Sequence, residues 1–81
     1  MTKHMPPHPG RYISEEMAHL NITLRELAQA LNVSPSTIGQ MVEGRAVVTS
    51  AMAERLASVL GSTPEMWLRL QEAYTASFSL N

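Results

Sequence analysis

The sequence contains no cysteine, and it has only one tryptophan and one phenylalanine. The lack of cysteine excludes disulfide scaffolds, thiolate zinc sites and cysteine nucleophiles. A chain of 81 residues has enough apolar surface for one core and not for two. We therefore expect a single small domain that is stabilised by side-chain packing alone.

Long apolar runs are also missing. The first ten residues contain Lys3 and three prolines, so they resemble neither a secretory signal nor a membrane anchor. Residues 1–8 are expected to be a flexible N-terminal tail, and residues 9–81 a folded domain. These features predict a cytoplasmic protein without a membrane partner.

Positive charge is not in excess. Six lysines and arginines face seven acidic residues, which gives a formal net charge of −1. This balance argues against a nucleic-acid-binding protein that works through bulk positive charge. Any binding to DNA must therefore come from a local cluster of residues and from dimerisation.

No segment alternates apolar and polar residues long enough to predict a strand, so the predicted fold class is all-α with five helices. The first helix is expected from about Gly10 to Leu20, with Ile13, Met17 and Leu20 as its apolar stripe. Asn21 is expected to end this helix.

Local capping signals define the next three helices. Thr23 and Glu26 form a capping box before a helix from Leu24 to Leu31. Ser34 followed by Pro35 predicts the start of a third helix, which ends at Gly44. A fourth helix is expected between Thr49 and Gly61.

The fifth helix is predicted over about residues 64–78, after Thr63 and Pro64. It carries more apolar surface than docking onto one core requires. We therefore predict a dimer interface rather than a ligand site for its large side chains, which are Met66, Trp67, Leu70, Tyr74 and Phe78.

The segment from Thr23 to Gly44 is the most informative part of the chain. Two short helices joined by a tight turn cross steeply, which requires a small residue at the contact and a residue that tolerates positive φ in the turn. Ala28 and Asn32 supply these two properties. Val33 and Ile38 are expected to fill the space between the helices.

This segment resembles the helix-turn-helix of the XRE-type, or lambda-repressor-like, family. The resemblance rests on Leu27-Ala28, Leu31, Asn32-Val33-Ser34, Ile38 and Gly44. The flanking segments His8-Pro9-Gly10, Val33-Ser34-Pro35-Ser36 and Ser62 to Leu68 make the chain similar to HigA-type antitoxins over almost its whole length.

The resemblance implies an antitoxin of a type II toxin–antitoxin module. Such a protein would repress its own operon as a homodimer and neutralise an mRNA-cleaving HigB-type toxin. Two alternatives remain: a protein-interaction module with little DNA binding, and a stand-alone XRE-type regulator.

If the third helix enters the major groove, the N-terminal half of that helix faces the bases. The predicted base-reading residues are Ser36, Thr37 and Gln40. The predicted phosphate contacts are Thr23, Arg25, Ser34 and Arg45. The operator is expected to be a near-palindrome in double-stranded DNA.

Catalytic and metal sites are not expected. His4, His8 and His19 lack the spacing of a metal site, and Ser34 and Thr37 lack a nearby base that would activate a nucleophile. The adjacent residues Glu15 and Glu16 point in different directions on a helix. The sequence therefore predicts neither an enzyme nor a protein with a metal or other cofactor.

Overall fold

The computed structural model describes residues 7–79, with side chains up to residue 77. The described part contains five helices and no strand. The helices are α1 (Pro9–Leu20), α2 (Leu24–Leu31), α3 (Pro35–Val42), α4 (Ser50–Leu60) and α5 (Pro64–Ser79). The predicted all-α class and the order of the five helices are confirmed.

The boundaries of α1 and α2 are set by local hydrogen bonds. Thr23 Oγ1 accepts a hydrogen bond from the Glu26 backbone N–H at 3.1 Å, and Glu26 Oε1 accepts one from the Thr23 N–H at 2.8 Å. Asn21 and Asn32 end α1 and α2 with φ values of 58° and 60°. Asparagine tolerates this left-handed conformation better than most residues. The predicted capping box and both helix ends are therefore confirmed.

The core draws residues from all five helices and from the segment before α4. Its fully buried members are Ile13, Leu27, Ala28, Leu31, Ile38, Met41, Val48, Ala53, Leu56 and Trp67. Leu20 does not belong to this core, because it is 45% exposed at the C-terminal end of α1. The prediction that Leu20 completes the buried stripe of α1 was wrong.

The helices α1 and α3 approach each other closely at Gly10. A Cβ atom added at Gly10 would overlap the Met41 carbonyl oxygen and would lie 2.9 Å from Val42 Cα. Only glycine fits here, since the obstructing atoms belong to the backbone and cannot rotate away. Gly10 thus fixes the position of α3 against α1.

His8 belongs to the folded domain. Its Nδ1 accepts a hydrogen bond from the Gly10 N–H at 2.9 Å and caps α1. Its ring meets Tyr74 edge-on, with 4.7 Å between the ring centroids. The prediction that the flexible tail extends through residue 8 was therefore wrong at its last residue. The tail predicted for residues 1–6 lies outside the described residues.

Two long-range hydrogen bonds hold the segments between helices. Gln71 Oε1, in a side chain that is only 8% exposed, accepts from the Val48 N–H at 2.8 Å. Arg55 Nη1 donates to the Leu31 carbonyl at 3.2 Å, at the end of α2. These bonds tie α5 to the segment before α4, and α4 to α2. Within the described residues, no helix has the length and apolarity needed to cross a bilayer.

Candidate nucleic-acid interface

The turn between α2 and α3 fixes the relative orientation of the two helices. The Val33 N–H donates to the Ala28 carbonyl at 3.0 Å, and Asn32 supplies the positive φ that the turn needs. Ala28 and Ile38 are 1% and 0% exposed at the contact between the helices. The small residue, the turn residue and the buried plug therefore have the positions that the sequence predicted.

The N-terminus of α3 carries a cluster of three hydroxyl groups. Ser34 Oγ lies 3.1 Å from Ser36 Oγ and 2.9 Å from Thr37 Oγ1, and it also accepts from the Thr37 N–H at 3.3 Å. Ser34 is thus the cap of α3, as predicted. The cluster holds the first turn of α3 in one arrangement.

The three predicted base-reading residues differ in their exposure. Ser36 and Gln40 are exposed, four residues apart on the outward face of α3. Thr37 is half-buried, and its hydroxyl already contacts Ser34. Ser36 and Gln40 are therefore the most accessible of the three. Thr37 has its methyl group left for contact with a base, since its hydroxyl is engaged.

The two predicted arginine contacts flank α2 and α3. Arg25 is exposed in the first turn of α2. The Arg45 side chain is 76% exposed, and its Nε lies 3.4 Å from Glu43 Oε1. An exposed ion pair of this kind contributes little stability. Arg45 can therefore exchange Glu43 for a phosphate at a small energetic cost.

Thr23 is already engaged by the capping box. Its N–H donates to Glu26 and its Oγ1 accepts from the Glu26 N–H. The hydroxyl proton of Thr23 is the donor that this arrangement leaves for a phosphate oxygen. The neighbouring Glu26 carboxylate opposes an anion at this position, since like charges repel.

Glu43 and Gly39 of the same region were not predicted as site residues. Glu43 caps the end of α3 and its side chain is 58% exposed. Gly39 lies in the middle of α3. Both are three or four residues from Ser36 or Gln40, so helical spacing is the signal that would have found them.

The predicted dimer surface on α5 is only partly available. Trp67 is 1% exposed, and its Nε1 donates to the Gly61 carbonyl at 3.3 Å. Its assignment to the dimer interface was wrong, because the indole fills the core of its own chain. Met66, Leu70 and Tyr74 are half-buried beside it, and the Phe78 side chain lies outside the described residues.

A cleft of about 250 Å³ lies on another part of the surface, between α1 and the connection from α4 to α5. Its lining is formed by Tyr12, Glu16, Leu60, Gly61, Ser62, Met66 and Trp67. No group of three histidine, aspartate or glutamate side chains converges anywhere in residues 7–79. The better candidate for a functional site is the polar ridge of α3, by which we mean its exposed face with Ser36 and Gln40.

Comparison with known proteins identifies the family to which the chain belongs. Residues 13–68 match the family model described as Helix-turn-helix. The chain is 45% identical over 69 residues to an uncharacterized HTH-type transcriptional regulator, YddM, of Escherichia coli K12, covering 85% of this chain and 73% of that protein. It is 37% identical over 73 residues to the antitoxin HigA-1 of Vibrio cholerae, covering 89% and 69%.

Two solved structures have the same fold. A HigA-family addiction module antidote protein from Coxiella burnetii superposes with a TM-score of 0.90 at 35% identity, covering 95% of this chain and 85% of that one. The Pseudomonas aeruginosa antitoxin HigA, solved with the higBA promoter, has a TM-score of 0.86 at 29% identity, with coverages of 91% and 82%.

The matched region spans most of the folded domain, and it includes α2, the turn and α3. The chain belongs to the XRE-type helix-turn-helix family. The predicted similarity to the HigA type within this family is confirmed by the relative from Vibrio cholerae and by both solved structures.

Proposed function

We propose that this protein is a sequence-specific DNA-binding antitoxin that represses its own operon. The observation that carries the proposal is the exposed polar ridge of α3, with Ser36 and Gln40 on it, held by the hydroxyl cluster of its first turn. The solved relative that contains a promoter supports the same use of the fold. The activity proposed is binding, without a catalytic step.

In the proposed complex, α3 lies in the major groove. The Gln40 amide can pair with adenine through two hydrogen bonds, which provides roughly 1–3 kcal/mol of discrimination. Ser36 can bond to a base edge, and the Thr37 methyl group can contact thymine. Arg25 and Arg45 lie at the flanks and would contact phosphates, as would the hydroxyls of Thr23 and Ser34.

Two copies are needed for a stable complex, because each carries few cations near α3. A homodimer formed through α5 would place two α3 helices about 34 Å apart, which is one turn of DNA. The operator would then be a near-palindrome. Trp67 is buried in the core of its own chain and is not available for a dimer contact. The proposed dimer contacts are Met66, Leu70, Tyr74 and Phe78.

Toxin neutralisation is the second part of the proposal. A HigB-type toxin is the proposed protein partner, and the support for it is the antitoxin name of the relatives from Vibrio cholerae and Coxiella burnetii. Both activities would take place in the cytoplasm. The net charge of −1 is compatible with binding a basic ribonuclease.

The test is a titration of the full chain with duplex DNA from the region upstream of its own gene. We expect a slope of about −4 to −5 in a plot of log affinity against log salt concentration, because about two or three basic contacts in each copy would neutralise about four to six phosphates. Gln40→Ala should weaken binding by about tenfold and reduce the preference at one base pair of each half-site.

Gln29→Ala is the matched control, since Gln29 is an exposed glutamine on α2. This variant should bind like the natural protein. A slope near zero, or equal losses for Gln29→Ala and Gln40→Ala, would contradict the proposed use of α3.

A further inference from the structure

Gly39 is a partly exposed residue of α3 for which the fold of the monomer gives no structural reason. It lies inside the helix, four residues after Pro35 and three before Val42. A Cβ atom built at Gly39 meets no atom within 4 Å, and its φ does not lie in the left-handed region. Neither crowding nor backbone conformation explains a glycine here.

Gly10 and Gly39 differ in the space that surrounds the position of an added Cβ atom. At Gly10, an added Cβ would collide with the backbone of Met41 and Val42. At Gly39, an alanine would fit into open space. Glycine in a helix interior shifts the folding equilibrium toward the unfolded state by about fivefold relative to alanine. The folded monomer carries this disadvantage without a visible internal benefit.

The position of Gly39 indicates what the benefit is. Helical spacing makes it a surface neighbour of Ser36, three residues earlier, and of Glu43, four residues later. Gln40 is the next residue along the chain. Gly39 therefore leaves a notch in the ridge that is proposed to face DNA, at the place where a side chain would otherwise project.

A notch is useful because Ser36 and Thr37 have short side chains. The Ser36 hydroxyl and the Thr37 methyl group can reach base edges only if the α3 backbone lies deep in the groove. A Cβ at position 39 would stand between the α3 backbone and the DNA beside Ser36, and it would keep that backbone farther from the bases. We propose that Gly39 sets the depth of insertion of α3 into the major groove, and so determines whether Ser36 and Gln40 can read the bases.

This inference rests on the proposed DNA binding, and its test separates the two. The variant Gly39→Ala should unfold at a temperature about 4–8 °C higher than the natural protein, because alanine favours the helix. The same variant should bind its own upstream DNA duplex about tenfold more weakly or worse. A substitution that stabilises the fold and weakens binding cannot act through unfolding.

Ser14→Ala is the control for stabilisation itself. Ser14 is exposed in α1, so this variant should raise the unfolding temperature slightly and leave DNA affinity within twofold. The double variant Gly39→Ala/Gln40→Ala should bind less than twofold more weakly than Gly39→Ala, because Gln40 would no longer reach the bases.

Three results would overturn the inference. The first is a Gly39→Ala variant that binds the duplex within twofold of the natural protein. The second is a lower unfolding temperature for Gly39→Ala, which would mean that the fold needs this glycine. The third is a natural protein that fails to bind the duplex, and this result alone would also remove the proposed function.

Discussion

At the scale of single residues, His8 connects three parts of the molecule. Its Nδ1 caps α1, its ring contacts Tyr74 of α5, and the same ring lies 3.6 Å from the place that a Cβ atom would take at Gly44, after α3. Burial lowers the pKa of His8 below its ordinary value, and a hydrogen bond with the backbone of Ala46 opposes this shift. The folded state therefore favours the neutral imidazole, which is the form that can accept the bond from Gly10.

The pH dependence of stability follows from this shift. Because the pKa of His8 is lower in the folded state, the unfolded chain binds the proton first and stability rises with pH. The contribution of His8 should be complete above about pH 6.5, the ordinary pKa, and should decrease as the pH falls through the lower pKa of the folded state. Thermal unfolding measured between pH 8 and pH 5 will show this loss.

The test compares how much stability the natural protein and a variant of His8 lose as the pH falls. In His8→Asn the cap acceptor is kept but does not titrate, so this variant should lose less stability than the natural protein over the same pH range. His19→Gln is the matched control, because His19 is exposed near the end of the same helix. Equal pH profiles for the natural protein and His8→Asn would contradict the role assigned to His8.

At the scale of secondary-structure elements, α3 is positioned from two sides. The turn at Asn32 joins it to α2, and the contact between Gly10 and Met41 sets it against α1. The ridge that is proposed to face the groove therefore lies on a helix whose opposite face is fixed by the core residues Ile38 and Met41. Such support is what an interface made of short side chains requires.

Gly10→Ala should disturb this arrangement. The added methyl group would press on the backbone of α3, where relief requires the two helices to move apart. Overpacking of this kind costs about 1–3 kcal/mol, and a contact with backbone belongs at the upper end of the range. Urea unfolding should show a lower midpoint, in contrast to the higher midpoint expected for Gly39→Ala. An unchanged midpoint would show that the contact between α1 and α3 is looser than described.

At the scale of the whole molecule, the role of α5 in the core must be separated from its proposed role in dimerisation. Trp67 and Gln71 face the core and hold the chain together. Met66 and Leu70 are half-buried, and helical spacing places them beside the exposed Ala73. Truncation after Pro64 would therefore remove core residues and test folding rather than dimerisation.

A charge placed beside the proposed interface is the better test of the dimer. Ala73→Glu should leave the exposed position folded but convert the dimer to a monomer, since a carboxylate would have to be buried between the two copies. Ala51→Glu makes the same change at an exposed position of another helix, α4, and should remain dimeric. Analytical ultracentrifugation measures both. Two dimeric variants would place the interface elsewhere on the molecule.

The sequence alone was sufficient to predict the N-terminal caps, most helix boundaries and the exposed face of α3, although α3 ends at Val42 with Glu43 as its cap and not at the predicted Gly44. The capping interactions of Thr23 and Ser34 join residues two or three positions apart, so they follow from local composition. The outward face of α3 also follows from helical periodicity, once Ile38 and Met41 are assigned to the core.

Only the tertiary structure decided which apolar and polar residues turn inward. Trp67 and Leu20 both fit apolar stripes, yet one is buried and the other exposed, because burial depends on which helices cross at that point. Gln71 is buried through a bond to Val48, 23 residues away, and His8 contacts Tyr74 at the other end of the chain. Periodicity defines the face of one helix, but the partner of that face is set by the packing of all five.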